Sequence, residues 1–133
     1  MRRIAVLLFA AALSAGPAAA GQSTDWDHAQ PLSVELSNFT FMPMELTLRH
    51  GIAYRIHLAN LSSGGHDFSA KDFFANATVA PEDRAKIKDG KISLGGGESA
   101  DIRLVPNKAG TFKIKCSHFM HTTFGMTGNV VVQ

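Results

Sequence analysis

Apolar and polar residues alternate along most of the chain after residue 31, and this pattern predicts β-strands. Leu32, Val34 and Leu36 alternate with polar neighbours, as in a strand that buries one face. The same period of two recurs in four later segments, at residues 44–48, 52–58, 102–104 and 112–116, and the apolar run within residues 129–133 predicts a last strand. Short strands separated by glycine, proline and asparagine turns are typical of an all-β sandwich, and we expect antiparallel pairing.

The middle of the chain, residues 70–88, lacks this alternation. Pro81 suits the first position of a helix, so residues 81–84 are predicted to begin a helical turn. The expected fold is therefore an all-β antiparallel sandwich with one short helix or irregular segment in the middle.

The N-terminus has the pattern of a secretory signal peptide. Arg2 and Arg3 precede an apolar run at residues 4–13, and small residues follow up to Ala20. The run is too short to cross a bilayer, which takes about twenty residues. The predicted organisation is a signal peptide at 1–20, a loosely ordered arm at 21–31 and a domain at 32–133.

Composition narrows the function classes further. The chain has 133 residues and a single Cys, which excludes a disulfide framework and the zinc modules built on paired cysteines. Loss of Arg2 and Arg3 with the leader would leave 11 basic residues against 11 acidic ones. Because a strongly basic surface is then absent, we expect no nucleic-acid partner. We also expect no membrane span after leader cleavage.

Residues with metal-binding chemistry are concentrated near the C-terminus. Cys116 ends a predicted strand, and the parity of that strand directs its sulfur into the sandwich. His121 and Met126 follow at the spacing C-x4-H-x4-M, within one loop between two strands. His66 lies about fifty residues earlier, in the loop predicted after another strand. One thiolate, two imidazoles and a distant thioether suit one copper ion that cycles between Cu(I) and Cu(II).

This motif, Cys116-x4-His121-x4-Met126 with an upstream His66, resembles the cupredoxins, the small blue copper proteins that include plastocyanin, azurin and pseudoazurin. Residues 39–48 are similar to the first hairpin of bacterial periplasmic cupredoxin-like domains. The resemblance implies a Greek-key sandwich and a periplasmic one-electron carrier. The ligands that it implies are His66, Cys116 and His121 around the ion, with Met126 on its axis.

The ligand region departs from the family pattern in two ways. Many cupredoxins place Asn directly after the first ligand His, where it ties two ligand loops together, but this chain has Asp67. A carboxylate accepts hydrogen bonds and cannot donate them as an amide does, so the tie must be made differently. His118 could replace His121 as a ligand, and Met120 offers a further thioether.

The apolar residues Phe119 and Phe124 flank His121 in sequence. They either pack locally to keep water from the metal or form an exposed collar where a redox partner docks transiently on a monomer.

A copper-handling role in buffering, delivery or resistance is the alternative, because Met42, Met44 and Met120 supply soft ligands for Cu(I). An enzyme is not expected. A thioether is a poor zinc ligand, and a thiol pointing into the core is badly placed to attack a substrate.

Overall fold

The structure of the chain is a computed structural model that describes Gly16, residues 23–118 and residues 125–133. Apart from Gly16, the predicted signal peptide lies outside the described residues. The same holds for residues 119–124, which include His121. Neither helix in the described part of the chain has the length and apolar character needed to cross a membrane.

The described residues form ten strands, one α-helix and one 3₁₀ helix. In chain order these are β1 (Gln30–Ser37), β2 (Thr40–Met42), β3 (Glu45–Leu48), β4 (Tyr54–Asn60), β5 (His66–Ser69), α1 (Lys71–Ala75), β6 (Ala77–Val79), the 3₁₀ helix (Pro81–Lys86), β7 (Lys91–Leu94), β8 (Ser99–Pro106), β9 (Gly110–Lys115) and β10 (Thr127–Val132).

Within the described residues these strands form two five-stranded sheets, which confirms the predicted β-sandwich. The first sheet has the order β2-β1-β4-β8-β6, and the second has the order β3-β10-β9-β5-β7. Most of the pairings between these strands are antiparallel, as expected, but β1 pairs with β4 and β3 pairs with β10 in parallel, so both sheets are mixed. Alternation reports which face of a strand is buried, and it carries no information on the direction of the neighbouring strand. Between β1 and β4 the chain crosses to the second sheet at β3, so β4 returns parallel to β1.

The predicted alternation places the core correctly in the long strands. In β4 the side chains of Tyr54, Ile56 and Leu58 are buried between the sheets, while Arg55 between them is exposed. The core also contains a group of aromatic rings. The ring of Phe73 in α1 lies 5.9 Å from that of Phe112 in β9, so the helix covers the core beside the second sheet.

The middle of the chain contains more structure than the sequence predicts. The 3₁₀ helix begins at Pro81, as the helical position of proline indicates. The helix α1 and the strand β6 precede it in a segment predicted to be irregular. The strand β6 has three residues, which is too short for an alternating pattern to stand out.

Two apolar positions at strand ends differ from their predicted orientation. Met44 was expected to point inward with Leu46 and Leu48, and those two are buried, but Met44 is 56% exposed. The strand β3 begins only at Glu45, so Met44 belongs to the turn between the sheets. Ile52 likewise precedes β4 and is 37% exposed.

Candidate metal centre

Three neighbouring strands of the second sheet bring the predicted ligands to one end of the sandwich. Cys116 directly follows β9, and Met126 directly precedes β10. The strand β5 pairs with β9 on its other side and begins at His66. Sequence analysis places His66 in a loop, but its main chain already pairs with Leu94 of β7. The ring of this histidine is therefore anchored by a strand rather than by a flexible connection.

The side chains of Cys116 and His66 meet in the interior. The distance from Cys116 Sγ to His66 Nδ1 is 3.8 Å, and the two residues are 0% and 2% exposed. Met126 is fully buried, and its carbonyl accepts a hydrogen bond of 3.1 Å from the Cys116 N–H. Two donor atoms bound to one ion by bonds of roughly 2.0 and 2.3 Å lie about 3.5–4 Å apart. The spacing and the softness of this donor set therefore fit a copper ion.

The described part of the chain thus brings His66, Cys116 and Met126 together. His121 lies outside the described residues, as do Met120, Phe119 and Phe124. The assignment of the complete ligand set stays a prediction.

Burial controls the acidity of the thiol. Desolvation raises the pKa of Cys116, and a hydrogen bond from the Asp67 backbone N–H, 3.4 Å from Sγ, acts in the opposite direction. Because the thiolate is the ligand, metal uptake by this thiol must release a proton.

Asp67 ties β5 to the segment that follows Cys116. Its carboxylate is almost fully buried at 1% exposure. Oδ1 accepts a hydrogen bond of 2.8 Å from the Ser117 N–H, and Oδ2 accepts one of 2.5 Å from the Ser117 hydroxyl. The carboxylate therefore makes the inter-loop tie by accepting two hydrogen bonds from one serine, which is consistent with its inability to donate.

The side chains of Lys91 and His118 lie just beyond hydrogen-bond distance of this carboxylate. Asp67 Oδ2 is 3.9 Å from Lys91 Nζ and 3.7 Å from His118 Nε2. Lys91 Nζ donates a hydrogen bond of 3.0 Å to Ser117 Oγ. The donor atoms of Asp67, Cys116 and His118 all lie within 4.8 Å of one another. His118 is thus beside the site, and its replacement of His121 as a ligand stays open.

Asn60 was not singled out by sequence analysis, yet it organises the loop that leads to His66. This residue is 1% exposed and ends β4. Its amide nitrogen donates to the carbonyl groups of Gly64, Leu94 and Gly95 at 2.8, 3.2 and 3.0 Å. Its oxygen accepts hydrogen bonds from the N–H and hydroxyl of Ser62. An asparagine directly before a Ser/Gly-rich loop was the available signal.

Two glycines permit close approaches of the main chain around the site. A Cβ at Gly96 would collide with the carbonyl of Ser63, in the loop before His66. A Cβ at Gly128 would collide with the carbonyl of Met44, where β10 begins beside β3. Larger side chains would push apart the segments that carry the ligands.

Comparison with known proteins identifies the family to which the chain belongs. Residues 29–133 match the family described as copper binding proteins, plastocyanin/azurin family. The chain therefore belongs to the plastocyanin/azurin family of copper-binding proteins, and its sandwich is cupredoxin-like. No curated protein sequence matches the chain at a significant level.

Solved structures support the same fold. The dithionite-reduced auracyanin from the photosynthetic bacterium Roseiflexus castenholzii aligns with a TM-score of 0.59 at 20% identity, over 79% of this chain and 98% of that one. Auracyanin A, a "blue" copper protein from Chloroflexus aurantiacus, aligns with a TM-score of 0.53 at 19% identity, over 77% and 99%. The multicopper oxidase McoA from Aquifex aeolicus aligns with a TM-score of 0.65 at 14% identity, over 84% of this chain but only 31% of its own.

Proposed function

We propose that the protein is a one-electron carrier with a mononuclear copper site formed by His66, Cys116, His121 and Met126. The observation that carries the proposal is the buried pair of Cys116 Sγ and His66 Nδ1, 3.8 Å apart, in a chain of the plastocyanin/azurin family. The similar auracyanin A, described as a "blue" copper protein, supports the same class of site.

In this proposal copper supplies the Cu(I)/Cu(II) couple, and the protein supplies a fixed set of donors. Strand pairing with β7 orients His66, and the Asp67 N–H holds the sulfur of Cys116. Met126 is held through its carbonyl, which is bonded to the Cys116 N–H. Because three paired strands fix these groups, the donors rearrange little when the charge on the ion changes, which favours fast electron transfer.

The redox partner is proposed to dock near His121, Phe119 and Phe124 on a monomer that loses its leader on export to the periplasm. Support comes from exposed apolar side chains at the same end of the sandwich. Met44 is 56% exposed and precedes β3, whose partner β10 begins just after Met126. Leu61 is 63% exposed and follows Asn60, which bonds the loop before His66. Exposed apolar groups that adjoin a buried redox site suit a small, short-lived interface. We propose no enzymatic activity.

Copper buffering or delivery is the second candidate. The observation that favours it is the exposure of two thioethers, at Met42 and Met44, which are 60% and 56% accessible. Thioethers reachable from solvent can accept and release Cu(I), whereas the fully buried Met126 cannot exchange its metal as readily.

The decisive experiment is an optical and paramagnetic-resonance spectrum of the protein with Cu(II). We expect strong thiolate-to-copper absorption that bleaches on reduction and returns on oxidation, and its loss in Cys116→Ser. A protein that shows no visible band with Cu(II), but takes up Cu(I) and loses that uptake in a Met42→Leu/Met44→Leu variant, would instead be a copper-handling protein.

A matched pair of variants assigns the second imidazole. We expect His121→Ala to remove the absorption band and His118→Ala to retain it. The opposite result would transfer the ligand role to His118, and retention in both variants would contradict a site with two imidazoles.

A further inference from the structure

We propose that Lys91, Ser117 and Asp67 form a charge relay that sets the redox preference of the copper site. In this relay the Asp67 carboxylate favours Cu(II), and Lys91 at the surface opposes it. The inference rests on the proposed copper site and adds to it three residues outside the proposed ligand set.

The direction of each hydrogen bond in the relay follows from the chemistry of its members. A lysine ammonium only donates, so Ser117 Oγ accepts from Lys91 Nζ at 3.0 Å. The hydroxyl hydrogen of Ser117 is then available to Asp67 Oδ2, while the Ser117 N–H bonds Oδ1. Both oxygens of Asp67 therefore act as hydrogen-bond acceptors, which is the role of a carboxylate.

The negative charge of the Asp67 carboxylate lies close to the sulfur of the proposed ligand. Asp67 is 1% exposed, and its carboxylate is within 4.8 Å of Cys116 Sγ. Among the described residues, the ammonium of Lys91 is 3.9 Å from Oδ2 and His118 Nε2 is 3.7 Å from it, and both distances are too long for a direct hydrogen bond. Coulomb interactions at a buried site are weakly screened, so the charge stabilises the more positive oxidation state.

Lys91 opposes this effect from a more exposed position. Its side chain is 36% accessible, so water and salt screen its charge more than that of Asp67. Removing the Lys91 ammonium should therefore shift the Cu(I)/Cu(II) equilibrium toward Cu(II), opposite to the shift caused by removing the Asp67 charge, and by a smaller amount. A family member with Asn after the first ligand His has no charge here, so this relay depends on Asp67.

The test is the reduction potential of the copper-loaded protein and of three variants. We expect Asp67→Asn to shift the Cu(I) to Cu(II) affinity ratio about tenfold toward Cu(I), a rise of 59 mV for one electron. We expect Lys91→Gln to shift it about threefold toward Cu(II), because an exposed charge is partly screened. Lys91→Arg should restore the wild-type value. Opposite signs are the signature of the relay, since a merely structural defect would not produce them.

Lys115→Gln is the matched control for net charge. Lys115 and Lys91 both pair with Ser69, one on each side of β5, yet Lys91 alone of the two reaches Ser117 in the described part of the chain. We expect Lys115→Gln to leave the potential nearly unchanged. Equal shifts in Lys115→Gln and Lys91→Gln, or shifts of the same sign in Asp67→Asn and Lys91→Gln, would overturn the relay.

A measurement on the metal-free protein separates failure of the relay from failure of the copper site. The amide proton of Ser117 donates to a carboxylate, so its NMR resonance should move upfield in Asp67→Asn and less in Lys91→Gln. An unchanged resonance in both variants would refute the relay alone. If the resonance responds but wild-type protein forms no thiolate–copper band, the proposed function fails, and with it the redox role of the relay.

Discussion

Two buried carboxylates in this protein are compensated in different ways. Asp83, at the 3₁₀ helix, is 4% exposed and receives hydrogen bonds of 2.8 Å from both Arg103 Nε and Lys86 Nζ. Asp67, beside Cys116, is 1% exposed and bonds only neutral donors of Ser117 among the described residues. Among the described residues, Lys91 Nζ lies 3.9 Å and His118 Nε2 lies 3.7 Å from Asp67 Oδ2.

The difference separates a charge that stabilises the fold from one that we propose to tune the copper site. Burial alone would raise the pKa of Asp83, but the hydrogen bonds from Arg103 and Lys86 lower it to about 2. That charge is neutralised locally and ties the 3₁₀ helix to β8. The charge of Asp67 is neutralised less completely, so its field reaches the sulfur of Cys116.

The largest loss of stability is expected for Asn60→Asp, because the side-chain amide of Asn60 donates hydrogen bonds that a carboxylate cannot make. In Asn60→Asp, a carboxylate would face the three carbonyl groups that now accept hydrogen bonds from the Asn60 nitrogen. Buried acceptors that face each other without a hydrogen cost the full desolvation of each group, so we expect a loss of about 3 kcal/mol in the free energy of unfolding. Urea unfolding of the metal-free protein measures it.

The control for this variant is Asn107→Asp. The Asn107 amide donates one exposed hydrogen bond, to Thr78 Oγ1 at 2.8 Å, and we expect a much smaller loss there. Equal losses in the two variants would show that the buried position of Asn60 gives its hydrogen bonds no special weight.

Asp83→Asn should have the next largest effect. The pKa of Asp83 is about 2 in the folded protein against 3.8 for an ordinary Asp, and this difference corresponds to about 2 kcal/mol of stability at pH 7. Since the folded pKa is the lower one, this stability is present above about pH 4 and is lost as the pH falls toward 2. The gap between wild type and Asp83→Asn should therefore close over that range of pH in urea unfolding experiments.

Asp67→Asn supplies the direct comparison. Its amide oxygen can still accept from the Ser117 N–H, and no directly paired cation is lost, so we expect a cost within about 1 kcal/mol in the metal-free protein. A cost equal to that of Asp83→Asn would remove the distinction between the two carboxylates.

The sequence predicts those parts of the fold and site that depend on local pattern. The long strands β1, β4 and β9 follow the alternation, and the spacing of Cys116 and Met126 places both at ends of paired strands. The strand β6 has three residues at a sheet edge, too few for a period to be recognised, whereas the four-residue edge strand β7 was missed although its burial alternates.

The contacts that organise the site could not be predicted in this way. Asn60 meets Leu94 across 34 residues, Lys91 meets Ser117 across 26, and Asp67 meets Ser117 across 50. Such contacts depend on how strands pair in three dimensions, and no periodicity along one strand encodes its partner. The change from Asn to Asp after His66 was visible in the sequence, but the hydrogen bonds that Ser117 donates to this Asp were not.

The smallest effect is expected for an exposed pair. His57 Nδ1 and Asp101 Oδ1 are 2.8 Å apart, the same distance as between Lys86 and Asp83, but their side chains are 44% and 53% exposed. Water screens this pair, so we expect His57→Gln to change the free energy of unfolding by at most about 0.5 kcal/mol. Urea unfolding at pH 7 alongside Asp83→Asn gives the comparison at matched distance. A loss in His57→Gln as large as that in Asp83→Asn would mean that burial is not what separates these pairs, and the argument that assigns a structural role to Asp83 would fail with it.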